Sequence, residues 1–235
     1  MPRVIAAVLQ GRPIDRLWPA LIWLSAVRAR AAVTLSAATK RSIDVTVAGV
    51  ALLLALPVLL AAALAIRING GPGPILFRQR RAGRNGAPFV MYKLRTMHDG
   101  ADDDKELFRR FNELPSGPCF KMRHDPRITP VGRWLRRSSL DEVPQLWNVL
   151  RGEMSLVGPR PLPLDEVRRD TGDERARLMV LPGMTGLWQV SGRVEIPYPR
   201  WAAMDAWYAR NRSLGLDVLL LVKTVPAVLS GRGAY

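Results

Sequence analysis

From Val45 to Ile66 the chain runs 22 residues without a charge, between Lys40, Arg41 and Asp44 on one side and Arg67 on the other. A straight helix of that length reaches about 33 Å, enough to cover a hydrocarbon core of about 30 Å. Pro57 falls just past the middle of the run, where it removes a backbone donor and kinks a helix. A break there leaves arms of roughly 18 and 14 Å, each too short to span a bilayer. Both flanks are basic, with Arg67, Arg78, Arg80, Arg81 and Arg84 following the run, so the bias of cationic loops toward the cytoplasm gives no direction. Two paths fit these facts: a helix that enters lipid, breaks at Pro57 and returns to the same face, or a single crossing with a proline kink. The run starts about forty residues into the sequence and lacks a small-residue cleavage pattern behind it, so a removable secretory signal is not expected.

Charge narrows the partners. Thirty-five Lys and Arg against 20 Asp and Glu give a net charge of +15, which calls for an anionic partner: nucleic acid, an acidic lipid surface or phosphorylated substrates. No recognisable nucleic-acid motif accompanies the charge. Cys119 is the single cysteine, which excludes an intrachain disulfide and a cysteine zinc site, and the two histidines, His98 and His124, are too few for a histidine-rich centre. Any metal is therefore held by carboxylates, which points to Mg²⁺ or Mn²⁺.

Three regions follow. Residues 1–41 carry seven cations (Arg3, Arg12, Arg16, Arg28, Arg30, Lys40 and Arg41) against the single acid Asp15, with Trp18 and Trp23 in a short apolar stretch, and read as an arm lying on anionic lipid or as a poorly ordered leader. Residues 42–68 are the membrane helix. After the turn-rich segment Asn69-Gly70-Gly71-Pro72-Gly73-Pro74, residues 69–235 form a small, mostly helical α+β domain. Ile75–Arg81 and Pro88–Arg95 are strand candidates joined through Gly83-Arg84-Asn85-Gly86, a hairpin signal. Alternation puts Phe89, Met91, Lys93 and Arg95 on one face, projecting two cations together. Residues 102–113 read as a helix whose leading Asp102-Asp103-Asp104 is a solvated capping cluster rather than a metal loop. Thr129-Pro130 reads as an N-cap and first helical residue. The next helix ends before Gly152, and its start is best placed with Asp141 as N-cap, which puts Pro144 where no intrahelical bond is lost.

That register sets Asp141 and Glu142 at a helix N-terminus directly after Arg136 and Arg137, a place that favours bound phosphate and keeps a carboxylate ionised. An ionised Asp beside phosphate is a Mg²⁺ ligand or a nucleophile, while Ser139-x-x-Glu142 equally matches a capping box. In Gly158-Pro159-Arg160-Pro161 two prolines fix the backbone about one arginine, as an anion grip or an ordinary turn. The Pro182–Leu187 glycine turn fits either a close approach to a ligand or tight structural packing.

The ordered set Tyr92–Met97, Asp125–Thr129, Ser139–Gln145 and Met154–Pro161, with the closing Leu219–Tyr235, resembles the bacterial sugar transferases, the monotopic polyprenyl-phosphate phosphoglycosyl transferases. The resemblance covers about residues 38–235. It implies a re-entrant helix broken at Pro57 and a catalytic domain on the cytoplasmic face of the bacterial inner membrane. Leu56 stands where family members usually have Ser before this proline, so any break depends on the proline alone. By the same resemblance Asp141 is the nucleophile on a nucleotide diphosphate sugar, undecaprenyl phosphate accepts the phosphosugar, and Mg²⁺ sits at Asp141 and Glu142. Lys93, Arg95, Arg136 and Arg160, the last between Pro159 and Pro161, are the implied phosphate partners. Downstream glycosyltransferases are implied consumers of the product.

Overall fold

The computed structural model describes residues 37–101, 104–113, 122, 124–167, 171–192 and 196–230. Most of the expected N-terminal arm, Asp102, Asp103 and Cys119 lie outside these. Helix α1 (Ala37–Asn69) contains the whole apolar run and is followed by the hairpin β1 (Leu76–Ala82) and β2 (Pro88–Leu94). Short α2 (Lys105–Phe108), α3 (Pro130–Arg137), α4 (Gln145–Arg151), β3 (Ser155–Val157), α5 (Gly172–Arg177), β4 (Gly183–Thr185), α6 (Tyr198–Asn211) and α7 (Leu214–Leu229) complete the described elements. Helix predominates, with one antiparallel pair and one parallel pair of strands.

α1 is long and apolar enough for a membrane. Its helical structure is continuous through Pro57, so the expected break into two helical arms is not present. Proline removes one donor and crowds one carbonyl, and the hydrogen bonds on either side hold the helix together. One stripe of α1 faces the rest of the chain. Ala48, with Ala51 and Leu52 beside it, packs into the main core of Leu146, Val149, Leu156, Trp201, Tyr208 and Leu220. Ala62, Ile66 and Leu59 pack with Leu94 and Leu135. Between these patches the side chains turn outward, with Leu53 70% and Leu54 73% exposed. Both ends of the apolar run are therefore held by the same domain.

The N-terminal end is also held by polar groups. Lys40 pairs with Asp217 at the start of α7 at 2.6 Å, and Arg41 donates to the carbonyls of Val149 and Leu150 at the end of α4. Asp44 accepts from Ser155 Oγ at 2.7 Å and from the Leu156 amide at 3.3 Å. Tyr208 donates its hydroxyl to Asp217 at 2.6 Å.

The hairpin forms as its turn signal requires: Leu76 pairs with Leu94 and Ala82 with Pro88, and Asn85 takes the left-handed conformation at φ 58°. Thr129 caps α3 through Gly132 N at 2.9 Å, with Pro130 the first helical residue. Only Lys105–Phe108 and a 3₁₀ turn at Arg109–Phe111 represent the helix expected over residues 102–113. The glycines of the Pro182–Leu187 turn pack structurally: a Cβ on Gly183 would stand 2.0 Å from the backbone nitrogen of Gly158, so this close crossing admits only glycine.

Candidate active site

Asp141 and Glu142 lie in a 3₁₀ turn, Leu140–Glu142, entered through Ser139 in the left-handed conformation at φ 57°. α4 starts only at Gln145 after Pro144 and has no side-chain cap. Both the register with Asp141 as N-cap and the Ser139–Glu142 capping box are thereby corrected. The reason is visible in the bonds: Val143, Leu146 and Trp147 each donate three residues back, so the segment through Pro144 is wound too tightly for α-helix. Glu142 is also drawn away, its Oε1 accepting from Lys93 Nζ and from Arg160 Nη2, each at 2.8 Å. The positive field at Asp141 therefore comes from side chains rather than from a helix dipole.

Lys93 is the penultimate residue of β2, with its cross-strand partner Phe77 on the same face. Arg136 comes from the last turn of α3 and is steadied by Nε donation to Thr96 Oγ1 at 2.9 Å. Arg160 comes from the loop behind β3. Asp141 itself is 7% exposed, and no donor among the described residues reaches its carboxylate. Burial pushes it up to about 6, with Glu142 adding to the rise, while Lys93, Arg136 and Arg160 pull the other way. Glu142 goes the opposite direction: burial alone would raise it, yet Arg160 and Lys93 hold it well below the usual carboxylate range. Burial lowers Lys93 and Arg136 from their ordinary values. Two adjacent carboxylates thus differ, one fixed and ionised by two cations, the other without a donor among the described residues and tunable near neutrality.

The structure brings Asp141, Glu142, Lys93, Arg136 and Arg160 together and leaves Arg95 out. The Arg95 guanidinium donates to the carbonyls of Gly71, at 3.1 Å, and Pro72, and so holds the turn behind α1. Pro159 and Pro161 act through their backbone. The Pro159 carbonyl accepts from Gly183 N at 2.8 Å and that of Pro161 from Arg81 Nη1 at 2.9 Å. Arg81, Arg177 and Asp205 support the site but lie outside every motif that the sequence singles out, whereas Thr96 lies within the Tyr92–Met97 motif without its role being legible there.

The donor set suits a hard cation. Among the described residues no cluster of three or more His, Cys, Asp or Glu exists, but Mg²⁺ is ordinarily held by one or two carboxylates together with substrate phosphates and waters. The unbonded Asp141 carboxylate beside Glu142 meets that requirement once a diphosphate is present.

Three relatives share 41–44% identity with this chain over 83% of its length. They are the undecaprenyl-phosphate galactose phosphotransferase of Salmonella typhimurium, the exopolysaccharide production protein ExoY of Rhizobium meliloti, and the UDP-glucose:undecaprenyl-phosphate glucose-1-phosphate transferase of Caulobacter vibrioides. The chain spans about two fifths of the Salmonella protein (41%), 88% of the Rhizobium protein and 72% of the Caulobacter protein. These relatives accord with the match of the bacterial sugar transferase family over residues 35–231: the chain belongs to the bacterial sugar transferases.

Proposed function

We propose that this chain transfers a sugar-1-phosphate from a UDP-sugar to undecaprenyl phosphate, an early membrane step in making an exopolysaccharide or related glycoconjugate. The observation that carries this reading is the Asp141 carboxylate, buried and without a hydrogen-bond donor among the described residues, beside Lys93, Arg136 and Arg160. Relatives named for the same transfer add support.

In the proposed reaction an Asp141 oxygen attacks the phosphorus bonded to the sugar. The bond from that phosphorus to the UMP oxygen breaks, UMP leaves with the electron pair, and a phosphosugar ester remains on Asp141. A phosphate oxygen of undecaprenyl phosphate then attacks the same phosphorus and releases the carboxylate. Lys93 and Arg160 hold Glu142 and present positive charge to the donor's phosphates, and Arg136 extends that charge toward Thr96. Mg²⁺ bound through Asp141 and Glu142 would neutralise the diphosphate of the donor.

The lipid acceptor explains why a domain of this kind carries α1. We read both ends of α1 as lying on one, cytoplasmic, face of the inner membrane, the helix bending at Pro57 rather than breaking. The attachment of Lys40, Arg41 and Asp44 at one end and Ile66 at the other to the same domain supports this.

A panel of UDP-sugars incubated with membranes and undecaprenyl phosphate should release UMP with one or a few donors, only with Mg²⁺ or Mn²⁺. Without acceptor, labelled sugar phosphate should accumulate on the protein up to one equivalent. Turnover by Asp141→Asn at the wild-type rate would refute the covalent route. Cysteines placed at Lys40 and Ser230, with Cys119 replaced, should be labelled from the same side in intact cells, and opposite accessibility would establish a single crossing.

A further inference from the structure

Behind Arg160 lies an ion pair that the proposed chemistry does not touch. Arg177, at the end of α5, and Asp205, in the middle of α6, are 4% and 1% exposed and meet at 2.8 Å. The same nitrogen, Arg177 Nη2, donates to Asp205 Oδ2 and to the main-chain carbonyl of Arg160 at 2.9 Å. It carries two hydrogens, so both bonds form at once. Asp205 Oδ2 also accepts from Trp201 Nε1 at 2.8 Å, and the guanidinium carbon lies 5.4 Å from the centroid of the Trp201 ring. Trp201 is itself packed on Trp188 at 4.2 Å between centroids.

Resting on the proposed transferase reading, we infer that Arg177 and Asp205 are positioning residues that fix the backbone of Arg160 and so aim its guanidinium at Glu142 and the donor's phosphates. Pro159 and Pro161 lock their own φ, and the second restricts the residue before it, so few soft torsions remain in the loop. One of them sets the direction of the Arg160 carbonyl, and Arg177 grips that atom. A buried ion pair is no stronger for stability than well-packed apolar groups would be. Its value here is directional: a planar fork held by Asp205 below and Trp201 alongside has one orientation in which to meet a carbonyl. The chain of contacts runs from Asp205 through Arg177 and the Arg160 backbone to the Arg160 side chain and ends on Glu142 at 2.8 Å.

A double-mutant cycle on the full chain in membranes tests this. Asp205→Asn, Arg177→Lys and Trp201→Phe are each compared alone and combined with Arg160→Ala, reading kcat/KM for the UDP-sugar by UMP release. If the pair acts through Arg160, Asp205→Asn lowers kcat/KM roughly tenfold, Arg177→Lys by less because a cation is retained, and neither costs anything further once the Arg160 side chain is gone. Losses that multiply with Arg160→Ala, or an unchanged kcat/KM in Asp205→Asn, overturn the proposal, because a merely structural pair would be indifferent to Arg160. Should Asp205→Asn fail to accumulate, Trp201→Phe carries the same cycle, since it deletes one hydrogen bond to Asp205 and keeps an aromatic ring. A wild-type chain that released no UMP from any donor would refute the transferase reading, whereas multiplying losses on an active wild type refute only the positioning role.

Discussion

Two buried charge clusters, one at the base of α1 and one around Asp141, are built from the same residue types and have opposite finishes. At the base, Lys40 bonds Asp217, Asp217 also takes the Tyr208 hydroxyl, and Asp44 takes Ser155 Oγ and the Leu156 amide. Each carboxylate there has at least two donors. Around Asp141, Glu142 takes both of the donated hydrogen bonds, and Asp141 has none from the described residues although three cations surround it. A satisfied cluster has nothing left to offer a ligand and serves to fix elements. An unsatisfied one keeps an oxygen available and an environment that favours added negative charge, which is what phosphoryl chemistry requires.

The sharpest way to break this contrast is to remove the charge from each cluster. Asp141→Asn should cut UMP release roughly 10³-fold or more, as expected for a lost nucleophile. It should not cost stability at neutral pH. The native pKa of Asp141, about 6, lies above the ordinary 3.8, so its stabilising protonated form is fully present below about 3.8 and is lost as pH rises through about 6. The variant lacks that loss, and its melting temperature relative to wild type should rise between pH 4 and pH 7. Thermal unfolding at several pH values measures this, and a variant that melts lower at pH 8 than at pH 4 relative to wild type would mean that Asp141 is bonded in a way the structure does not contain.

At the other cluster the balance should reverse. Asp44→Ala leaves Ser155 Oγ and the Leu156 amide without their acceptor, which costs about 1–3 kcal/mol, while the chain remains in membranes because the apolar run is untouched. Unfolding midpoints should fall and UMP release per folded molecule should change little. A large loss of turnover with an unchanged midpoint would erase the distinction between the two clusters.

Much of the scaffold was legible because its signals are local. Asn85-Gly86 sets the hairpin turn, Thr129-Pro130 caps and opens α3, Gly152 at φ 82° ends α4, and the uncharged run from Val45 marks a helix long and apolar enough for a membrane. The spacing around Asp141 misled for a physical reason. Ser139-x-x-Glu142 has the pattern of a capping box, yet Glu142 is claimed by Lys93 from 49 residues earlier and Arg160 from 18 later, and no local rule ranks those competitors. Asp44 read as the polar edge of an apolar run, while its partners on β3 lie more than a hundred residues away. Pro57 read as a break because the isolated-helix rule is strict, and the continuous helix reflects what neighbouring hydrogen bonds and packing tolerate.

Glu142→Gln gives a finer test within the site itself. The amide oxygen can still accept from Lys93 and Arg160, so geometry is preserved while a charge that raises the Asp141 pKa is removed. The acid limb of the pH profile of kcat/KM, expected near 6 in the wild type, should move to lower pH. Turnover should fall and depend less on Mg²⁺, since one of the two carboxylates proposed to hold it is gone. An unmoved limb would show that Glu142 does not bear on the ionisation of Asp141, and one that moved upward would reverse the sign of its influence.

The smallest effect is expected at Arg95, where alternation along β2 and the family resemblance both point to a phosphate ligand and the structure gives a different task. Its guanidinium holds the Gly71 and Pro72 carbonyls, the acceptors left open where the chain leaves α1 and turns toward β1. Lys at this position keeps the charge but cannot span two carbonyls with one planar fork. Arg95→Lys should therefore leave the KM for the UDP-sugar unchanged and lower the melting temperature by about 2–4 °C, the shift that roughly 1 kcal/mol produces in a chain of this size. Lys93→Arg, by contrast, alters the group that meets Glu142 and should raise that KM. Equal effects of the two substitutions on KM would return Arg95 to the donor site and require the turn behind α1 to open when the substrate binds.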